Sequence, residues 1–150
     1  MEEMQEKEFK KIRQNKIRNV IGIFVLLLFL GTIAFSYFHI TTQGRLILRE
    51  GKNVKLALDM LDVEYYGKQK SVYDSEKRNG LAEGVQKRVY DIVNQTGEFE
   101  ILSYDRKEHT ILCMVYEREH YRVVYQCDED GKDQWKVDYL ITIFDYEDEK

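Results

Sequence analysis

Residues 20–38 read VIGIFVLLLFLGTIAFSYF, a run of 19 residues without a charged side chain. Thirteen of them are Val, Ile, Leu or Phe. A helix of this length is about 28 Å long at ~1.5 Å per residue, close to the roughly 30 Å hydrocarbon core of a bilayer. Each central apolar residue favours insertion by roughly 0.3–0.6 kcal/mol, which outweighs the Gly, Thr and Ser of the run. The run therefore predicts a transmembrane helix, and the lipid bilayer is the first expected partner.

The short segments on either side of the run differ in positive charge. The fifteen residues before it carry four Lys and two Arg, whereas the fifteen after it carry two Arg and one Lys. An excess of Lys and Arg marks the cytoplasmic side of a span. We therefore expect a single-pass protein of the cell membrane, with a cytoplasmic leader (residues 1–19), a transmembrane helix (20–38) and an extracytoplasmic domain (39–150).

A cleaved signal peptide is the alternative interpretation of the run. Ala34 and Ser36 are small residues of the kind that signal peptidase requires near its cleavage site. The apolar run continues past that point through Tyr37 and Phe38, and it is longer than the usual apolar region of a signal peptide. An uncleaved anchor is therefore preferred, and the domain lies outside under either interpretation.

The predicted outer domain is acidic. Residues 39–150 carry 17 Lys and Arg against 23 Asp and Glu, a net charge of −6. This balance argues against nucleic acid as a partner, because nucleic-acid-binding domains present clustered positive charge. We expect the partners to be other membrane or envelope proteins, including a second copy of this chain.

The hydrophobic spacing changes once along this domain, from helical to alternating. It predicts a polar break at residues 41–44, helices at about 45–66 and 81–96, and strands at about 99–104, 110–117, 121–127 and 135–144. Because the break is short, one long helix through it is the alternative, which Gly44 and Gly51 disfavour. The apolar stripe of the first helix consists of Ile47, Val54, Leu58, Leu61 and Tyr65, with Asp62 on another face. Gly97 is the expected C-cap of the second helix. Short connections make neighbouring strands antiparallel, so the fold class is α+β, with two helices followed by a four-stranded β-meander.

The predicted strands present two different faces. Odd-numbered residues of the last three strands are expected to face the core. The even-numbered face is more apolar than a solvated sheet surface and is interpreted as a partner-binding surface. Its candidate contact residues are Leu112, Met114, Tyr116, Val124, Leu140 and Phe144. The alternatives are that one helix covers each face, or that the assigned register is wrong by one residue.

The sequence indicates no catalytic, cofactor or metal site. Cys113 and Cys127 are the only cysteines, and they form either a disulfide in an oxidising exterior or two free apolar core residues. The run at residues 128–133 departs from a calcium-loop template because Gln126 and Val137 occupy the first and last ligand positions. No serine-hydrolase, zinc-protease or phosphate-loop motif occurs. We therefore do not expect an enzyme.

These features predict a membrane-anchored protein-interaction module, a structural or accessory component of a secretion, pilus or cell-wall assembly. An apolar helix that leads into an amphipathic helix and a β-meander is similar in outline to type IV pilins and pseudopilins. That resemblance implies a filament subunit, although Arg18-Asn19-Val20 differs from their processing site and the apolar run holds no acidic residue. A small ligand-binding or enzymatic domain with an unrecognised site is the other alternative.

Overall fold

The computed structural model describes residues 2–94, 96–128 and 130–141 of the chain. It contains two α-helices followed by a four-stranded antiparallel sheet, which confirms the predicted α+β class. The elements are α1 (Glu2–Tyr66), α2 (Val85–Val93), β1 (Glu98–Asp105), β2 (Thr110–Arg118), β3 (Tyr121–Cys127) and β4 (Asp133–Tyr139). The chain divides into two compact units, residues 1–41 and residues 42–150, and the sheet belongs to the second.

The first unit contains the apolar run as part of α1. Every large apolar side chain between Val20 and Phe38 is exposed, with 52% to 74% of its surface accessible. By length and composition this part of the helix is able to cross a membrane. A signal sequence near the N-terminus meets the same criteria of helix length and hydropathy, so the helix is a candidate for either an anchor or a signal sequence.

The polar residues 41–44 do not interrupt the helix: α1 continues from Glu2 to Tyr66, so the structure has the alternative of one long helix. The Thr41 hydroxyl donates to the carbonyl of Tyr37 at 2.8 Å, so this polar side chain is satisfied within the helix. Gly44 lowers helix propensity by up to about 1 kcal/mol relative to Ala. A Cβ at this glycine would lie 3.6 Å from the Tyr121 ring, so the helix backbone packs closely on the sheet there. This packing offsets the weak local propensity.

The rest of α1 packs on the sheet through the predicted apolar stripe. Four of its five members are no more than 3% exposed (Ile47, Val54, Leu58 and Leu61), and the fifth, Tyr65, is half-buried against the core. Gly51 lies in the same stripe, and a Cβ there would be 3.1 Å from Cγ1 of Val123. The stripe prediction is confirmed, and the two glycines that weaken the helix locally also let it approach the sheet.

Helix α2 is shorter than predicted, covering Val85–Val93 instead of residues 81–96. Asn94 ends it in the left-handed conformation (φ 49°), and its N–H donates to the Tyr90 carbonyl at 2.9 Å. The prediction that Gly97 caps this helix was therefore wrong. Gly97 is instead buried against Tyr116, whose ring would lie 2.4 Å from an added Cβ. Its missing side chain makes room for the core.

The strands lie in the sheet in chain order, which confirms the predicted antiparallel meander. The core-facing residues of β2 were assigned wrongly, because Met114 and Tyr116 are fully buried while Cys113 and Val115 lie on the other face. The pairing of β1 with β2 is irregular around Ser103. Such an irregularity changes the phase of the alternation. Strand β4 ends at residue 139, and residues 142–144 of its predicted range lie outside the described residues.

Candidate functional site

The predicted partner-binding residues do not share one surface. The six candidates were Leu112, Met114, Tyr116, Val124, Leu140 and Phe144. Met114 and Tyr116 are fully buried in the core and cannot contact a partner in this fold, so their assignment was wrong. The register of the β2–β3 hairpin is the reason, as in the alternative of a register wrong by one residue: Arg118 pairs with Tyr121 around a two-residue turn, which places these two side chains on the core face with Val123 and Tyr125. Phe144 lies outside the described residues.

The outer face of the sheet is more polar than predicted. Val124 lies on it, half-buried, opposite Val115, while Leu112 and Leu140 are half-buried elsewhere. A charged row crosses all four strands on this face and consists of Glu98, Glu117, Arg122 and Asp138. Arg122 forms an ion pair with Glu117 within that row. This face therefore resembles an ordinary solvated sheet surface rather than an apolar docking surface.

Both cysteines are free. Cys113 pairs with Gln126 and lies on the outer face, whereas Cys127 packs against the core. Side chains on opposite faces of a sheet cannot form a disulfide without movement of the backbone. Partial burial raises the pKa of the Cys113 thiol, which lowers its reactivity at neutral pH. The two alternatives from the sequence were a disulfide and two free cysteines, and the structure contains two free thiols.

An exposed apolar ridge lies on the side of α1 away from the sheet. It consists of Leu56, Met60 and Val63, which are 60%, 59% and 74% exposed. Their spacing of four and three residues places them next to one another on one helix face. This apolar ridge was not predicted, because the only docking surface expected from the sequence lay on the sheet.

Two turns meet beyond the C-terminal end of α1 and enclose an open cleft of about 770 Å³. In the first turn the N–H of Lys70 donates to the carbonyl of Tyr65 at 2.9 Å. The second is the hairpin turn at residues 106–109, where the Asp105 carboxylate accepts the N–H of Lys107 at 2.7 Å. That bond is the main reason why the pKa of Asp105 lies below its ordinary value. Both sides of the cleft are thus held by backbone hydrogen bonds.

We call this site the tyrosine cleft. Its principal lining residues are Tyr66, Lys70, Tyr73, Tyr104, Arg106 and His109. The rings of Tyr73 and Tyr104 are stacked, with centroids 5.3 Å apart and planes inclined by 17°. The rings of Tyr66 and His109 lie 4.4 Å apart. The cleft therefore has aromatic walls contributed by α1, by the following loop and by the β1–β2 hairpin.

A hydrogen-bonded chain runs from Asp62 through Tyr104 to His109. The Tyr104 hydroxyl donates to both carboxylate oxygens of Asp62, at 2.9 and 3.0 Å, and its oxygen lies 3.2 Å from Nδ1 of His109. Since the single hydroxyl proton is directed to the carboxylate, Nδ1 of His109 is assigned as the donor to Tyr104. Burial, followed by the bond to Asp62, raises the pKa of Tyr104 to about 12. The chain fixes the orientation of the Tyr104 ring in the cleft wall.

A second charged cluster joins α2 to the end of α1. Arg88 donates two hydrogen bonds to the Glu64 carboxylate, at 2.9 and 2.7 Å, and Lys68 donates a third at 2.6 Å. These bonds, the one from Arg88 foremost, lower the pKa of Glu64 to about 2. Paired hydrogen bonds from one guanidinium are directional, so the cluster orients α2 beside the tyrosine cleft.

The cleft was not predicted from the sequence, because the helical spacing places Asp62 on a polar helix face. Asp62 is only 4% exposed. A signal was present, since Asp62 directly follows Leu61 and lies four residues after Leu58, at the border of the buried stripe. Its partner Tyr104 is 42 residues away in the chain, and nothing in the spacing pairs the two.

Within residues 2–94, 96–128 and 130–141, no group of three or more His, Cys, Asp or Glu side chains is arranged to hold a metal ion. No protein-family model, curated protein or solved structure matches this chain. Its function is therefore inferred from its own residues and their geometry.

Proposed function

We propose that this protein is a single-pass membrane protein that holds a small α+β domain outside the cytoplasm, where the domain binds another protein of an envelope assembly. The exposure of every large apolar side chain between Val20 and Phe38 carries the proposal. A helix that is apolar all round is stable in lipid or in a protein core, and no part of the described chain covers this one. The lipid bilayer is the environment that fits it.

The charge distribution supports the orientation. The residues before the apolar run carry the excess of Lys and Arg that is typical of the cytoplasmic side. The domain after the run is acidic. Under this proposal the leader remains in the cytoplasm and the sheet, α2 and the tyrosine cleft are extracytoplasmic.

The apolar ridge supports a protein partner. Leu56, Met60 and Val63 present adjacent apolar side chains to solvent, and large exposed apolar residues that cluster on one face often mark contact sites. Met adapts its shape to different partners. Under this proposal the occupant is another protein of the same membrane, which meets the ridge with an apolar surface of its own.

Protease accessibility on intact cells tests the orientation, with a tag at each end of the chain. We expect external protease to remove the C-terminal tag and to spare the N-terminal one. Phe29→Arg places a charge at the centre of the run, costs roughly 3 kcal/mol of insertion, and should release protein from the membrane fraction, whereas Phe29→Leu should not. Full-length wild-type protein in the aqueous fraction would contradict the proposal.

Site-specific photo-crosslinking tests the partner. A photoreactive residue at Met60 should give one discrete adduct with a membrane protein, identified by its mass, and Leu56→Asp should abolish that adduct. The same probe at Lys87, exposed on α2, is the matched control. Identical adducts from both positions, or none from Met60, would show that the apolar ridge is not a docking surface.

A filament subunit is the second candidate, and the continuity of α1 favours it. One helix carries both the apolar run and the stripe that packs on the sheet, as the outline similarity to pilins implies. Filament assembly of that kind requires proteolytic processing just before the apolar run. N-terminal sequencing of the mature protein separates the candidates, since an intact first residue rules the filament out.

A further inference from the structure

The tyrosine cleft is basic although the domain around it is acidic. Its charged lining consists of Lys70 and Arg106, and no carboxylate occurs among the lining residues that the structure describes. Asp62 lies behind the wall, where the Tyr104 hydroxyl occupies both of its oxygens. Residues 39–150 have a net charge of −6, so this concentration of positive charge is local. The cleft therefore favours an anionic group.

Both cations remain available to a ligand. Arg106 donates from Nη2 to the hydroxyl of Ser75 at 3.1 Å, which leaves its charge uncompensated. In the described part of the chain neither Lys70 nor Arg106 forms an ion pair, whereas Arg88 and Arg118 are each paired with a glutamate. An incoming carboxylate or phosphate would therefore not have to displace a protein carboxylate.

The aromatic walls suit a ring-shaped ligand. Tyr66 is 60% exposed and lies against His109, while Tyr73 and Tyr104 form a stacked pair. The face of an aromatic ring carries negative potential. It therefore attracts the polarised C–H bonds on the flat face of a sugar, and the same face excludes water from that contact. A simple anion would form ion pairs with Lys70 and Arg106 but would make no stacking contact with these rings.

A polar group of the cleft is available to a sugar hydroxyl. The oxygen of Ser71 accepts the N–H of Tyr73 at 3.0 Å and its hydroxyl also hydrogen-bonds Tyr104, so Ser71 belongs to the wall of the cleft. His109 lines the cleft, and with Nδ1 bonded to Tyr104 its Nε2 is left for a ligand. A few placed polar groups beside apolar walls, in a cleft of about 300–1,000 Å³, are typical of small-molecule sites.

We propose that the tyrosine cleft binds an acidic sugar, a sugar ring that carries a carboxylate or phosphate group. Lys70 and Arg106 bind the anionic group, the ring of Tyr66 stacks on the sugar face, and His109 binds a hydroxyl group. This inference goes beyond the proposed function and does not depend on it, because none of these residues belongs to the apolar run or to the apolar ridge.

Calorimetric titration of the full chain in neutral detergent tests the inference. The probes are a tetrasaccharide of alternating glucuronic acid and N-acetylglucosamine, the uncharged N-acetylglucosamine tetramer, and inorganic phosphate. We expect the acidic tetrasaccharide to bind at least tenfold more tightly than either of the others. Its affinity should fall as salt rises, because the ion pairs it makes are solvent-accessible.

Matched variants assign the binding to the cleft. Tyr66→Ala and Arg106→Gln should each weaken binding at least tenfold, while Tyr66→Phe, which keeps the ring, should bind as the wild type does. Arg78→Gln removes an exposed cation elsewhere and should have no effect. Unchanged Trp135 fluorescence verifies that each variant is folded.

Two results would overturn the inference. No binding of the acidic tetrasaccharide at millimolar concentration, either free or attached to a lipid, would exclude it, and equal affinity for phosphate would reduce the cleft to an anion site. An acidic sugar can belong to a polymer or to a lipid. Binding of the free tetrasaccharide points to a soluble or polymeric glycan, and binding only when it is attached to a lipid in the same nanodisc points to a glycolipid. The proposed membrane topology is tested independently, by the protease-accessibility experiment.

Discussion

Replacing Tyr104 by Phe removes one hydroxyl and keeps the ring that stacks on Tyr73. The hydroxyl is the donor to Asp62, at 2.9 and 3.0 Å from its two carboxylate oxygens. Asp62 is only 4% exposed, so water has little access to replace the bond in the folded state. A buried acceptor that loses its partner costs about 1–3 kcal/mol, and more when it is charged. We therefore expect Tyr104→Phe to lower the free energy of unfolding by about 2–3 kcal/mol.

Urea titration of the full-length protein in neutral detergent measures this loss. Trp135 is the only tryptophan, and its ring lies 4.8 Å from that of the buried Tyr125, so its fluorescence reports unfolding of the domain. With a slope of about 1–3 kcal/mol per molar urea, the midpoint should fall by roughly 1 M or more. Tyr66→Phe is the matched control, because the Tyr66 hydroxyl forms no hydrogen bond within the described residues and the change should stay below about 0.5 kcal/mol.

A double-mutant cycle with Asp62→Asn separates the charge from the hydroxyl. In that background the acceptor is a neutral amide, so Tyr104→Phe should cost only about 0.5–1.5 kcal/mol. If Tyr104→Phe is as mild as Tyr66→Phe in the wild-type background, the bond to Asp62 does not stabilise the fold and the reasoning from burial is refuted. An equal loss in both backgrounds would assign the effect to His109 instead.

Three further predictions concern the same domain. Gly97→Ala places a Cβ 2.4 Å from the Tyr116 ring and should cost about 1–3 kcal/mol in the same titration; an unchanged midpoint would show that the ring can move aside. The pKa of Tyr104 is raised from 10.0 to about 12, so its protonated form stabilises the fold below pH 10 and this contribution is lost as the pH rises to 12. The stability difference between wild type and Tyr104→Phe should therefore shrink over that window, and a constant difference would count against it. Alkylation of the denatured, unreduced protein should add two groups, at Cys113 and Cys127, and an unlabelled product would reveal a disulfide.

The parts of the fold that depend on local spacing could be predicted from the sequence. Ile47, Val54, Leu58 and Leu61 recur at helical intervals, and burying one side of a helix requires that periodicity whatever it packs against. Short polar connections between alternating segments likewise leave an antiparallel meander as the simplest arrangement. The sheet order and the buried stripe follow from these two patterns.

The predictions that were wrong concern features that depend on contacts between segments distant in the chain. A strand has a two-residue period, so pairing Arg118 with Tyr121, one residue away from the predicted turn at 118–120, moves Met114 and Tyr116 from the predicted surface into the core. Gly44 weakens a helix locally, yet its close approach to Tyr121 keeps α1 continuous. In both cases the energy of packing exceeds the local preference that the sequence analysis could use.

The sequence by itself determined that residues 20–38 prefer an apolar environment and that the rest forms helices before strands, because hydrophobicity and periodicity are properties of neighbouring residues. Only the tertiary structure decided that Asp62 bonds Tyr104 and that two turns enclose a basic aromatic cleft. Those contacts join residues about 40 positions apart, and the chain pays the entropy of closing such a loop only when the whole core forms around it. The site therefore exists in the folded domain and in no single segment of it.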